Sequence, residues 1–243
     1  LHGGSAHAHW FDAVLPAFAG RFHVVSVDQR GHGQSAWAVP PAYGTEDFAA
    51  DLLALTERLG WDRVAFVGHS MGGHTAMSFA AWHPERVRAL VIVDARPATS
   101  PAGLARMRER GHRPLRRHPT VEAAVAAFRL RPEGTIAERT LLAHIARQGI
   151  VEHDGGWLYR FDPACNASRN PVDATPLLRR ITAPTLIVRG EHSTILSRET
   201  AGRMRDAIPN ASLAEISGAY HHLVLDAPDA FTRALGQFLA ALA

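Results

Sequence analysis

Short apolar runs alternate with helix-forming segments along this chain, and that alternation leaves few folds open to it. Residues 64–67, 87–93 and 185–188 are each nearly continuous in apolar side chains. A strand with one wet face would alternate apolar and polar residues. Continuous runs instead predict strands covered on both faces, as in a parallel sheet flanked by helices. Residues 21–27 read as a further short strand ending at Asp28, and residues 212–216 as a weaker one. Residues 46–59 read as a helix, with Thr45 as its N-cap and Gly60 as its stop. A second helix is expected over 74–83, halted by Pro84, and an amphipathic closing helix over 230–242. The expected fold class is α/β, with a mostly parallel, doubly wound sheet.

The alternation breaks over residues 97–180. Helical patches occur at 121–130 and 135–148, but no convincing buried strand does, and arginine and proline are frequent. This stretch is expected to be a helical lid inserted between two strands of the core. It would divide the chain into a first core part (1–96), the lid (97–180) and a second core part (181–243). A chain of 243 residues fits one such domain and needs no disulfide staple. Cys165 is the only cysteine, so no intrachain disulfide can form, and the expected compartment is cytoplasmic. The sequence opens at Leu1 without a methionine, which leaves secretion open.

All 26 basic residues are arginine, yet the net charge is only +3. The densest patch, residues 106–117, is interrupted by Glu109, Gly111 and Pro114 and holds no stacking aromatics. It reads as a solvated helix face, so no nucleic-acid partner is expected. No apolar run reaches the roughly 18–20 residues that a membrane span needs. Nothing in the sequence sets an oligomeric state.

The sharpest motif is Gly68-His69-Ser70-Met71-Gly72, followed by Gly73. It stands between an apolar strand and a helix, where Gly-x-Ser-x-Gly forms a tight turn. The glycines avoid side-chain clashes in such a turn. The serine is lifted above the sheet at a helix N-terminus, where partial positive charge favours a developing anion. A serine hydroxyl is a weak nucleophile and needs a base. Imidazoles follow the last strand in Gly218-Ala219-Tyr220-His221-His222.

At these residues the chain resembles the α/β-hydrolase superfamily, in its serine-nucleophile branch. The resemblance implies Ser70 as nucleophile. It implies His221 as base, because the family histidine stands seven residues before the proline opening the last helix, here Pro228. His222 is the alternative, otherwise packed under the loop. The third member is less direct. Many relatives carry an aspartate after the strand matching 185–188, but here that loop reads Gly190-Glu191-His192-Ser193-Thr194. Other members carry the acid one strand earlier, which points to Asp94, with Glu191 the alternative. His2-Gly3-Gly4 resembles the family's oxyanion-hole turn. Carried over, the donors are the backbone N–H groups of Gly4 and Met71. His2 is then a brace of that turn, and Trp10 stands where relatives carry a packing aromatic. Asp28-Gln29-Arg30-Gly31-His32-Gly33-Gln34-Ser35 also resembles a family loop and reads as a structural loop, with His32 a candidate for the pocket wall; His69, in the elbow, is another pocket candidate. Trp157 and Tyr159 fall in a stretch found in some bacterial members, lining the pocket or packing the lid. The usual first strands of the fold would precede Leu1.

The implied function is hydrolysis of a small-molecule carboxylic ester or lactone. The alternatives are hydrolysis of a C–C bond in a diketone-like substrate, or a non-catalytic ligand receptor on the same scaffold. Members that use an aspartate nucleophile are excluded by Ser70. No cofactor is expected. Fifteen histidines are present, but there is no His-Glu-x-x-His and no cysteine cluster, so no metal is expected either.

Overall fold

The computed structural model describes residues 1–242. Its centre is a four-stranded parallel sheet made of β1 (Val64–His69), β2 (Val87–Val93), β5 (Thr185–Gly190) and β6 (Ala211–Ile216), in the order β1-β2-β5-β6. The continuous apolar runs have a simple cause. Leu90, Ile92 and Ile187 point to one face of the sheet, while Val91, Val93, Leu186 and Val188 point to the other. Successive strand residues alternate faces, so a sheet buried on both sides needs apolar side chains at every position.

Helices cover both faces. α1 (Thr45–Arg58), α2 (Met71–Trp82) and α7 (Arg198–Ala207) supply Leu52, Ala76 to Ala81 and Met204 to the first. The second face is covered by α8 (Leu223–Asp226), α9 (Pro228–Ala240) and the short 3-10 helix Ala8–Phe11, through Leu223, Phe231 and Trp10. α1 starts one residue earlier than expected. Gly44 is the N-cap, and its N–H donates to the Asp47 carboxylate at 2.8 Å. β1, β2 and β5 end together in register, with His69 opposite Val93 and Val93 opposite Val188. Loops leaving these carboxyl ends therefore share one edge, which is where open α/β sheets place their sites.

Two expectations are corrected. Residues 21–27 run extended without a ladder partner among the described residues, and Val24 and Val25 stay exposed. An apolar run becomes a strand only where a neighbour offers hydrogen bonds, and here side chains anchor the segment instead. Ser26 Oγ donates to Ala8 O (2.6 Å), and Ala8 N–H donates to Asp28 Oδ1 (2.6 Å). Residues 97–180 are also not purely helical. They hold α3 (Pro101–Gly111), α4 (Val121–Ala127), α5 (Arg139–Gln148) and α6 (Ala164–Ala167), with an antiparallel hairpin of β3 (Ile150–His153) and β4 (Gly156–Tyr159) between α5 and α6. Asp154 and Gly155 both have positive φ, +49° and +71°, as a two-residue hairpin turn demands.

Candidate active site

Ser70 follows β1 directly and caps α2 with φ +53° and ψ −113°, a strained conformation for a residue with a Cβ. The chain can hold it because its neighbours pass so closely. A Cβ on Gly68 would lie 2.4 Å from Gly72 O, and one on Gly72 would lie 2.6 Å from the carbonyl oxygens of Leu1 and His2. Those carbonyls are tied to the same turn, since His69 N–H donates to Leu1 O (2.9 Å) and Gly72 N–H donates to His2 O (3.1 Å). The Gly3–Gly4 turn is thereby pressed against Ser70.

Three loops bring three side chains together. His221, between β6 and α8, accepts from Ser70 Oγ at Nε2 (3.1 Å) and donates from Nδ1 to Asp94 Oδ1 (2.9 Å). Asp94 directly follows β2, is fully buried, and has φ +44°. Its carboxylate also accepts from Gly190 N–H (2.9 Å) and from Ser193 Oγ (2.5 Å). The loop after β5, which lacks an aspartate, thus supplies donors to an acid from β2. Sequence reading missed Gly190 and Ser193 in this part. Glu191 faces the other way, accepting from Ser217 Oγ (2.8 Å) and Gly218 N–H (2.7 Å).

The remaining expected site residues fall into two groups. Among the described residues, the N–H groups of Gly4 and Met71 donate to no other group of the chain. Both belong to the two turns that meet at Ser70, and a Cβ on Gly3 would lie 3.2 Å from Ser70 Cβ. His32, His69, Trp157 and Tyr159, by contrast, are occupied with bracing or packing. His32 is fully buried, accepts from Ser5 N–H at Nε2 (3.0 Å) and donates from Nδ1 to Arg30 O (3.0 Å). His69 is buried and donates from Nε2 to His221 O (2.9 Å), which steadies the loop carrying that imidazole. Tyr159 O–H donates to Ala124 O (2.5 Å), and its ring packs on His118 and Phe128. Trp157 exchanges backbone hydrogen bonds with His118 (2.9 and 2.8 Å). His2 accepts from Gln29 N–H at Nε2 (3.0 Å), and His222 packs edge-on against Trp10.

Burial disfavours imidazolium at three histidines packed around the site, His2, His69 and His222. It pushes His222 down to about 3, with His221 adding to the effect. His69 and His2 are held well below the ordinary histidine value, again chiefly by burial. Among the described residues, two groups carry metal-ligating atoms within 4.8 Å of one another: His69, His221 and His222 at the site, and His9, Asp12 and His144 at the surface. In the first, both nitrogens of His221 are already engaged by Ser70 and Asp94. In the second, Asp12 Oδ2 accepts from both His9 (2.9 Å) and His144 (2.7 Å).

A parallel sheet wound on both faces, with a strained serine at the end of β1, defines a class, and comparison with known proteins defines the same one. The sequence matches the alpha/beta hydrolase fold family over residues 1–228, and the chain belongs to that family. It is 27% identical to the 2-(acetamidomethylene)succinate hydrolase of Mesorhizobium japonicum, over 99% of this chain and 87% of that one. The crystal structure of an E-2-(acetamidomethylene)succinate hydrolase superposes with a TM-score of 0.88 at 26% identity, covering 98% of this chain and 89% of that one. A thermophilic esterase from Thermogutta terrifontis, solved with malate bound, gives 0.78 at 25% identity, covering 99% and 88%. The chain is a hydrolase. Among the described residues, no helix is long and apolar enough to cross a membrane.

Proposed function

We propose that this hydrolase cleaves a small carboxylic ester or lactone through an acyl-enzyme on Ser70. The observation that carries the reading is the unbroken hydrogen-bond chain from Ser70 Oγ through His221 to Asp94. As Ser70 Oγ attacks the ester carbonyl, its proton passes to His221 Nε2. Asp94 holds the ring in the tautomer that leaves Nε2 free, and stabilises the imidazolium once it forms. The carbonyl oxygen, now negative, takes hydrogen bonds from the N–H groups of Gly4 and Met71. Such donors typically contribute about 3–4 kcal/mol to lowering the barrier. His221 then protonates the leaving alcohol, and water repeats the cycle on the acyl-enzyme. Neither His32 nor His69 presents surface to a substrate in this scheme; both position the loops that do.

Residues 97–180 act as a lid over this site, in our reading. Its two ends of contact support that placement. Asn166 Nδ2, in α6, donates to Ser5 Oγ (3.4 Å), beside the Gly3–Gly4 turn. Thr135 and Ile136 donate to Asp226 Oδ1, whose other oxygen accepts from Tyr220 N–H at the base of the histidine loop (2.8 Å). A relative named as an esterase and another named for hydrolysis of a substituted succinate support acyl chemistry here.

The test is a panel of p-nitrophenyl esters of graded chain length, with several lactones and one diketone, run on the wild type and on Ser70→Ala. A fluorophosphonate probe should add once to the wild type, at Ser70, and not to the variant. Near wild-type turnover by folded Ser70→Ala would overturn the reading. Turnover confined to the diketone would replace ester cleavage with C–C cleavage.

A further inference from the structure

Arg169 lies just past α6 and is only 7% exposed. Burying a guanidinium is unfavourable unless an acid or several acceptors meet it. Among the described residues, no carboxylate pairs with this one; burial lowers it to about 10, opposed only by the Cys165 thiol, whose own ionisation burial pushes up to about 12. Only its backbone is held, since Arg169 O accepts from Arg108 Nε (3.2 Å) and Nη2 (2.9 Å). The acids in the neighbourhood are committed. Asp162 accepts from Tyr43 O–H and from Ala164 N–H, and the exposed Asp173 accepts from Thr175 N–H.

Three neighbours bear on where the cation sits. Its guanidinium carbon lies 5.8 Å from the centroid of Phe48, and Phe48 packs with Met71, the residue after Ser70. His32 and His74 are each pushed down to about 4, first by burial and further by the Arg169 charge. His32 meets Ser5 N–H, next to Gly4. His74 lies one turn along α2 from Ser70, donating its N–H to Ser70 O (2.9 Å). Cys165, four residues before Arg169, lies 3.9 Å from His32 Nδ1 and packs with Phe48 and Met71, so Arg169 borders the cluster that joins the Gly3–Gly4 turn to the residue after Ser70. Arg96 reaches the same corner from the loop after Asp94, its carbonyl 3.3 Å from His74 Nδ1. It is also without an acid partner and is lowered chiefly by burial.

We propose that the Arg169 guanidinium binds a carboxylate of the substrate, so that the site selects esters bearing a free acid, such as half-esters of short dicarboxylic acids. The planar fork of two N–H donors matches the two oxygens of a carboxylate and supplies the counter-charge that the folded chain withholds. The assignment rests on the reading of Ser70 as nucleophile, because it is that site's substrate which would carry the acid.

Competition kinetics test it, with succinate, its neutral isostere succinamide and inorganic phosphate as inhibitors of p-nitrophenyl butyrate turnover. In the wild type, succinate should inhibit competitively and about 10-fold more tightly than succinamide. In Arg169→Gln, the Ki for succinate should rise about 30-fold, with a smaller change for succinamide. The ratio of kcat/KM for mono-p-nitrophenyl succinate over p-nitrophenyl butyrate should fall by a similar factor, mainly through KM. Arg169→Lys keeps the charge but loses the fork, and should fall between the two. Equal inhibition by succinate and succinamide in the wild type overturns the proposal without any variant having to fold. An unchanged Ki in Arg169→Gln overturns it too, and phosphate binding as tightly as succinate overturns the carboxylate class. Succinate binding is also read as a rise in Tm, which needs no turnover. A Tm rise lost in Arg169→Gln but accompanied by no esterase activity would therefore sink the Ser70 reading while sustaining the anion site.

Discussion

Around Ser70 the backbone has almost no freedom, whereas at the turn between β3 and β4 it has ample room. A Cβ at Gly72 would strike backbone carbonyls at 2.6 Å, while one at Gly155 would meet nothing within 4 Å. Both regions use left-handed residues, but for different reasons. Gly155 and Asp154 turn a chain that lies in solvent; Ser70 and Asp94 are held left-handed by the strands and turns packed against them. Strain of this kind persists only where surrounding structure over-determines it. The contrast separates two tasks. In the proposed reading, the rigid corner fixes how a bond is broken, and the looser segment that carries Arg169 decides whose bond it is.

The sharpest way to break this contrast is to remove groups from the rigid corner that contribute little to folding. His221→Ala should lower kcat by about 10⁶-fold, as triad members act as a unit, while His222→Ala should lose far less. The reverse ranking would move the base to His222. Asp94→Asn should preserve the shape but fail to stabilise the imidazolium, lowering kcat by about 10⁴-fold. Glu191→Gln should stay near wild type, because its carboxylate bonds Ser217 and Gly218 instead. Steady-state kinetics on p-nitrophenyl butyrate ranks all four, and Glu191→Gln falling with Asp94→Asn would dismiss the Asp94 assignment.

The same contrast explains what could be read from the sequence. The elbow was legible because steric exclusion leaves a mark: only glycine fits at 68 and 72, at fixed spacing from the serine. The buried strands were legible because each apolar side chain has a face to cover. The strand expected over 21–27 failed because apolarity does not say whether a neighbour is there to pair with. The hairpin was missed although Asp154-Gly155 between Val151 and Trp157 is the strongest short hairpin signal there is; the helical patches before it obscured it. Asp94 and Glu191 stayed in competition because chain order places both between serine and histidine, and only side-chain direction separates them. Arg169 was invisible, since one arginine in an arginine-rich segment reads as surface.

Acid should act on the rigid corner through its buried imidazoles. His32 and His74 lie at about 4 and His222 at about 3, each lowered first by burial. An unfolded histidine titrates near 6.5, so below that pH the unfolded chain binds protons that the folded chain refuses. Stability is therefore full above about pH 6.5 and falls as pH drops toward 4, with each such histidine adding up to about 1.4 kcal/mol per pH unit. Urea midpoints measured between pH 7 and 5 should fall accordingly. His222→Leu, which replaces a ring packed on Trp10, should make that fall shallower. A slope identical to wild type would show that His222 carries no part of it.

The smallest effect belongs to the other region. Tyr159 O–H bridges β4 to Ala124 O in α4, and its ring lies between His118 and Phe128, at 5.8 and 5.9 Å. Tyr159→Phe keeps the ring and removes one hydrogen bond, which should weaken local packing by about 1 kcal/mol. None of these partners touches Ser70, His221 or Asp94, so kcat on a neutral ester should change by less than about two-fold. Hydrogen exchange is the discriminating measurement, because segments open in separate cooperative units. Amides of α4, β3 and β4 should exchange faster, while β1, β2 and β5 keep their protection. If protection instead drops equally across the central sheet, residues 97–180 are not a separate unit but part of one cooperative core. The division of tasks between a fixed corner and a looser lid would then have to be given up.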